Sequence, residues 1–246
     1  MKPLLFITCI LFSTVSCKTT TKPDVPAETK SVDTLALPKD SLAFYFPANS
    51  FSGELSLDSF IQNWYASALY SFKEPVLSQK FVGHNIYRFL WLRSFHRPVV
   101  FSLHHNQDLV WLTTKILDKQ PQFYEESIGG IQLKDRTDYI KEGYVVDTLE
   151  PDLLVRKADR RATIAYSKTV FLKYKDWENF ENVLAQANFW NVPATADQSG
   201  ADGSQWIIEA HLNNKYRFAD RWSPGGKFRK IGLHLINLSG LKEEIY

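Results

Sequence analysis

Cysteine is nearly absent. The 246-residue chain holds two, Cys9 and Cys17. Everything after Cys17 therefore lacks a thiol. That excludes a disulfide within the folded part, a cysteine nucleophile and a cysteine-ligated zinc site. Long apolar runs are missing too; none approaches the roughly 20 residues that a membrane-spanning helix needs. No excess of one charge exists either, since 29 Lys and Arg meet 27 Asp and Glu for a net charge of +2. Nucleic acid binding needs a concentrated positive surplus, so a nucleic acid partner is not expected. The 11 glycines form no phosphate-cradling loop, which argues against nucleotide-dependent chemistry. There is no Gly-x-Ser-x-Gly elbow and no His-Glu-x-x-His pattern. Ser239-Gly240-Leu241-Lys242 fits Ser-x-x-Lys by letter, but without companion motifs. The sequence implies no cofactor and no metal.

What is present is aromatic. Seven Trp, 17 Phe and 11 Tyr are available to build a core, and each can bury roughly 150–250 Å². Hydrophobic content of 44% and charged content of 23% are ordinary for a globular protein.

The N-terminus carries an address. One charge in Met1-Lys2-Pro3 precedes the short apolar stretch Leu4 to Phe12, the layout of a secretory signal. Thr14-Val15-Ser16 then lead into Cys17. This segment resembles the lipobox of bacterial lipoproteins, with Thr14 where Leu is commonest. An ordinary cleaved signal and a retained anchor helix are the alternatives. The resemblance covers residues 1–17 only. It implies cleavage after residue 16, palmitate-type acylation of Cys17, and attachment to the membrane through lipid alone. Lys18 follows Cys17, and neither an Asp nor an acidic run comes next. The resemblance then points to the outer membrane and its periplasmic face, with the cell surface as the alternative.

From 17 to 50 the chain is rich in Thr, Lys, Pro, Ser and Asp, the composition of a disordered tether. Residues 51–246 read as one α+β globular domain, an antiparallel sheet of meander and hairpin packed with about three helices. Ser56 is placed to cap a helix running from Leu57 to near Lys73, with Phe60, Ile61, Trp64, Ala68 and Leu69 on one face. Ile86–Phe95, Pro98–His105 and Leu109–Leu117 read as strands. Their short links leave antiparallel pairing as the easy solution.

The middle, from Asp118 to Lys157, is less patterned; Tyr144-Val145-Val146 suggests a short strand. A further strand is expected over Thr163–Leu172, then a helix over Trp177–Asn188 capped by Asp176. Gln205–Leu212 and Tyr216–Trp222 form a hairpin. A two-residue Asn213-Asn214 turn would set Trp206, Ile208 and Leu212 against Lys215, Arg217 and Arg221. A loop of three or five residues would instead gather the apolar side chains on one face. Because a one-residue slip flips every side chain, the longer loop is expected, with Glu209 on a wet face near Arg217 and Arg221. A last helix spans Phe228–Leu238, stopped by Gly240. The recurring order of helix then antiparallel unit raises two similar halves, 51–160 and 161–246.

Candidate chemistry is sparse. His84, His96, His104 and His105 lie close in sequence to Arg88, Arg93 and Arg97. Imidazole and guanidinium together suit an anion or metal site. Yet His104 and His105 are adjacent and must point to opposite faces of a strand. Arg93, His96, Arg97, His104, His105 and Trp190 are therefore only binding candidates. Asp197–Gly203 fails as a calcium loop, since its sixth residue is Asp202 and its twelfth Ile208. Glu125-Glu126, Asp135/Asp138 and Asp147/Glu150 could serve a glycosidase, but sequence cannot set their separation. Trp91, Trp111, Trp206 and Trp222 sit in core-like patterns rather than on a sugar-stacking surface.

The expected function is a lipid-anchored envelope protein with a non-catalytic binding or accessory module, whose partner is an envelope protein or glycan. The alternative is an envelope-polymer hydrolase with a His/carboxylate site. A pocket joining His96, His104 or His105 to a carboxylate would favour the hydrolase.

Overall fold

A computed structural model of the chain describes residues 45–47, 50–51, 55–121, 126–128, 144–146, 154–156, 162–196, 200, 202–213 and 215–245. All belong to the unit spanning 33–246. The signal segment, Cys17, most of the tether, and the acidic pairs at 125–126, 135/138 and 147/150 lie wholly or partly outside the described residues. No helix among the described residues is long and apolar enough to cross a membrane.

The fold is α+β. Six antiparallel strands form one open sheet in the order β7-β3-β2-β1-β8-β9. They are β1 (Asn85–Arg93), β2 (Val99–His105), β3 (Val110–Leu117), β7 (Ile164–Leu172), β8 (Ser204–Leu212) and β9 (Lys215–Trp222). The short stretches β4 (Glu126–Ile128), β5 (Tyr144–Val146) and β6 (Leu154–Arg156) form a separate three-stranded sheet ordered β4-β6-β5. Three helices complete the described elements: α1 (Leu55–Ser71), α2 (Tyr174–Gln186) and α3 (Gly226–Ser239).

Over β2, β1 and β8 both faces of the large sheet are covered. On one, Tyr87, Phe89, Trp91, Phe101 and Trp206 pack with Trp177, Phe180 and Leu184 of α2 and Ile231 and Leu235 of α3. On the other, Leu90, Leu92, Val100, Ile207 and Phe218 pack with Tyr65 and Leu69 of α1 and with Phe72 just after it. This explains why β1 reads as nearly continuous hydrophobics instead of alternating. Its residues 86–93 are all buried, the pattern of a strand covered on both faces. At Gly232 of α3 an added Cβ would lie 2.3 Å from the Trp206 ring, so that helix reaches the sheet only without a side chain there.

The structure corrects several sequence expectations. The hairpin turns through two residues: Leu212 pairs with Lys215, Ala210 with Arg217 and Trp206 with Arg221. The longer loop was expected on the premise that one face is wet. With both faces covered, Trp206 and Ile208 fill one core while Ile207 and Phe218 fill the other. Asn213 accommodates the tight turn at φ 50°. Arg217 and Arg221 sit on the edge strand, where their guanidinium groups donate to the carbonyls of Val192, Pro193 and Ala194. Glu209 is fully buried, not wet.

The folded part also begins before Phe51. Tyr45 and Phe46, placed in the tether by composition, are both buried; Phe46 packs against Phe51, Tyr65 and Phe218, and Tyr45 OH donates to the Glu74 carbonyl at 3.1 Å. The spans 51–160 and 161–246 share one sheet, with β1 pairing with β8 and β3 with β7. Helix starts move too. Ser56 falls inside the first turn of α1. The α2 helix starts at Tyr174, and Asp176 accepts from the Lys173 N–H at 3.0 Å.

Candidate functional site

The α1 side of the sheet carries the chemistry. The α1 helix ends with Lys73 in the left-handed region at φ 56°. The Glu74 N–H closes back on the Leu69 carbonyl at 3.0 Å, and Pro75 blocks continuation. This closure aims the buried Glu74 side chain at the strands. Arg88 of β1 lies between Ser102 of β2 and Glu209 of β8 in register.

These groups form a closed network. Arg88 Nε donates to Glu209 Oε2 at 2.7 Å, and Nη1 donates to the Pro75 carbonyl at 2.7 Å. Lys115 Nζ meets Glu74 Oε1 at 2.7 Å, and Ser102 Oγ donates to Glu74 Oε2 at 3.1 Å. Tyr216 OH donates to Glu209 Oε1 at 3.0 Å. Two cations and two anions balance. Burial opposes charge on Glu74, but Lys115 and Arg88 outweigh it and hold its carboxyl below the usual range. Burial likewise opposes charge on Arg88, yet Glu209 and Glu74 hold it up. At Glu209 burial prevails and raises the carboxyl, partly offset by Arg88.

Beside the network lies an imidazole pair. His84 Nε2 and His104 Nδ1 are 2.8 Å apart. His104 stacks on Trp111 with centroids 4.8 Å apart and planes at 3°. Burial, then the neighbouring His84, push His104 down to about 3; burial also lowers His84. Burial thus disfavours charge on both rings, and across the 2.8 Å contact one nitrogen donates and the other accepts according to tautomer.

Farther toward β7 the face opens. Trp111, Thr113 and Lys115 of β3 pair with Phe171, Thr169 and Ser167 of β7. The Thr113 and Thr169 hydroxyls lie 3.1 Å apart in an exposed position. Phe171 is 66% exposed.

The candidate residues from the sequence do not converge on one site; Arg93, His96 and Arg97 meet at one end of β1, and the others lie apart from them. His104 lies on the α1 side. His105 lies on the opposite face, against Tyr174 and Trp177. Arg93 is buried at the other end of β1, where it donates to the Arg97 carbonyl and to Glu243. His96 Nε2 is 3.6 Å from Glu244 near that same end. The Arg97 residue is exposed. Trp190 carries the Lys215 ammonium 4.0 Å above its ring. Among the described residues no three His, Asp or Glu side chains gather as a metal set.

Sequence reasoning missed Arg88, Glu74, Lys115 and Glu209 as a group. One signal was available: Arg88 stands alone among apolar neighbours in IYRFLWL, and a lone charge in a buried strand demands partners. Which partners, spacing could not say. Comparisons of the chain with protein-family models, curated proteins and solved structures find no match.

Proposed function

We propose that this chain is a lipid-anchored envelope protein whose domain is a non-catalytic binding module. The dispersal of its titratable candidates carries the reading. Among the described residues, the buried charges of Arg88, Glu74 and Glu209 are answered by one another and by Lys115. The one close imidazole pair includes His104, lowered to about 3, whereas an efficient general base is poised near the working pH. The open part of the sheet offers rings and hydroxyls, which suit adhesion. The N-terminal pattern ending at Cys17 supports the anchor, and the residues after it support the outer membrane's periplasmic face.

Two measurements test this. Metabolic labelling with an acyl-chain probe should mark the protein, and Cys17→Ser should abolish both the label and membrane association. A pull-down from detergent-solubilised envelope should recover a specific partner. An unlabelled wild-type protein would sink the anchor. Failure to recover any partner, or turnover of an envelope polymer, would sink the binding module.

A further inference from the structure

The two edges of the large sheet are finished differently. At β9 the Asp220 N–H donates to the Ala194 carbonyl at 2.7 Å, and Arg217 and Arg221 bind carbonyls of the same Val192–Ala194 segment. That edge is capped. At β7 the nine residues Ile164–Leu172 pair with β3 on one side. Positions 165–169 are exposed in succession. In an antiparallel strand every second residue turns both its N–H and its C=O to the outer side. Among the described residues nothing on that side receives them.

Long exposed edges invite pairing, and proteins ordinarily blunt them. β7 has one blunting residue, Lys168, and no proline. Around it, apolar surface is left open rather than removed. Tyr166, Phe171, Tyr174 and Leu109 are 40%, 66%, 56% and 48% exposed. Leu109 adjoins the β3 residue that pairs with Leu172. Phe95 alone among the described residues is a large exposed hydrophobic elsewhere. Tyr166 and Phe171 lie on opposite faces of β7, so apolar surface borders the edge on both sides.

Charge selects the occupant. From 162 to 175 every charged side chain is basic: Lys168, Lys173 and Lys175. Lys175 faces Glu178 at 3.3 Å and the Lys173 N–H donates to Asp176 at 3.0 Å, while the Lys168 ammonium forms no ion pair among the described residues. The nearby Asp118 is occupied at the start of the strand by the Thr163 N–H at 2.7 Å.

We propose that β7 is a docking edge for an extended acidic peptide segment of a partner protein, which joins the sheet as an added strand. This rests on the binding-module reading and names the kind of partner. Main-chain hydrogen bonds supply affinity in such docking, and alternate side chains supply selectivity. One set of the segment's side chains lies beside Phe171, which is itself paired with Trp111 on its inner side, and is apolar. The other lies beside Lys168 and is acidic. A second copy of this chain fits less well, because antiparallel β7 pairing about its middle sets Lys168 against Lys168, and like charges directly opposite repel.

The test uses full-length protein in detergent with a short peptide alternating glutamate and valine. Amide hydrogen exchange should slow at alternate β7 positions when the peptide is added. Lys168→Glu, at an exposed site, should weaken binding by about tenfold and favour a lysine–valine peptide instead. Phe171→Ala should also weaken binding. Unchanged β7 exchange at saturating peptide would overturn the proposal, as would equal affinity in Lys168→Glu. So would a peptidoglycan fragment that perturbs Trp111 and Phe171 while leaving β7 amides unchanged, or dimerisation lost on disrupting β7. If an envelope partner is still captured by Lys168→Glu with undiminished affinity, the edge proposal falls and the binding module stands.

Discussion

Arg88 and Glu209 face each other across the neighbouring strands β1 and β8 with both side chains fully buried, the guanidinium Nη2 2.5 Å from the carboxylate oxygen. Water cannot solvate either charge. Each is therefore held by the other, by Tyr216 and by the Pro75 carbonyl. Such a pair contributes little against a well-packed apolar substitute, but breaking it from one side leaves a naked charge in the core.

Removing one partner should thus be severe. Glu209→Ala is expected to cost about 3–5 kcal/mol, read as a lower urea midpoint. Replacing both, as Arg88→Met with Glu209→Leu, should recover most of that loss. A single variant costing under about 1 kcal/mol would contradict a desolvated pair.

Asp220 should make stability depend on pH. Tyr65 OH donates to it at 2.9 Å and Gln205 Nε2 also donates to it. Even so, burial raises its carboxyl to about 6. The folded state then holds its proton more tightly than the unfolded chain, whose value is about 3.9. Its contribution is full below the unfolded value and is lost as pH rises through about 6, a change on the order of 3 kcal/mol. Asp220→Asn should flatten that part of a stability–pH curve; an unchanged slope would refute the assignment.

His104 should not titrate near neutrality. Its ring, lowered to about 3, should show constant NMR shifts from about pH 5 to 8. The sign for stability is opposite to that of Asp220. The unfolded chain takes up the proton first, so stability is present above about 6.5 and falls as pH drops toward 3. A midpoint near 6.5 for the folded-state ring would show that it is not buried against Trp111 and His84.

Gly232→Val should strain the contact of α3 with the sheet. The first added carbon already meets the Trp206 ring at 2.3 Å and the Phe89 ring at 2.8 Å. Overpacking of this kind costs about 1–3 kcal/mol. A lowered melting midpoint with altered near-ultraviolet circular dichroism is expected; wild-type stability would show that the helix can shift outward freely.

Much of the framework was legible because it is local. The links His96-Arg97 and Asn106-Gln107-Asp108 are too short for anything except antiparallel returns, and β1, β2 and β3 pair that way. The last helix stops where a glycine permits φ 70° at Gly240. The candidate site was less legible. His104 and His105 were rightly separated by strand alternation, but which of the neighbouring histidines and arginines would meet, His84 with His104 and Arg93 with Arg97, depended on the register of β1 against β2.

By itself, then, the sequence determined the element types, their antiparallel returns and the absence of any thiol after Cys17, since these depend on neighbours a few positions apart. Only the tertiary structure decided the hairpin register, the burial of Glu209 and its pairing with Arg88. Those follow from a second layer of side chains over a face that local pattern alone assigned to solvent. Whether a charge is costly or harmless depends on the water around it, and only the assembled layers remove that water.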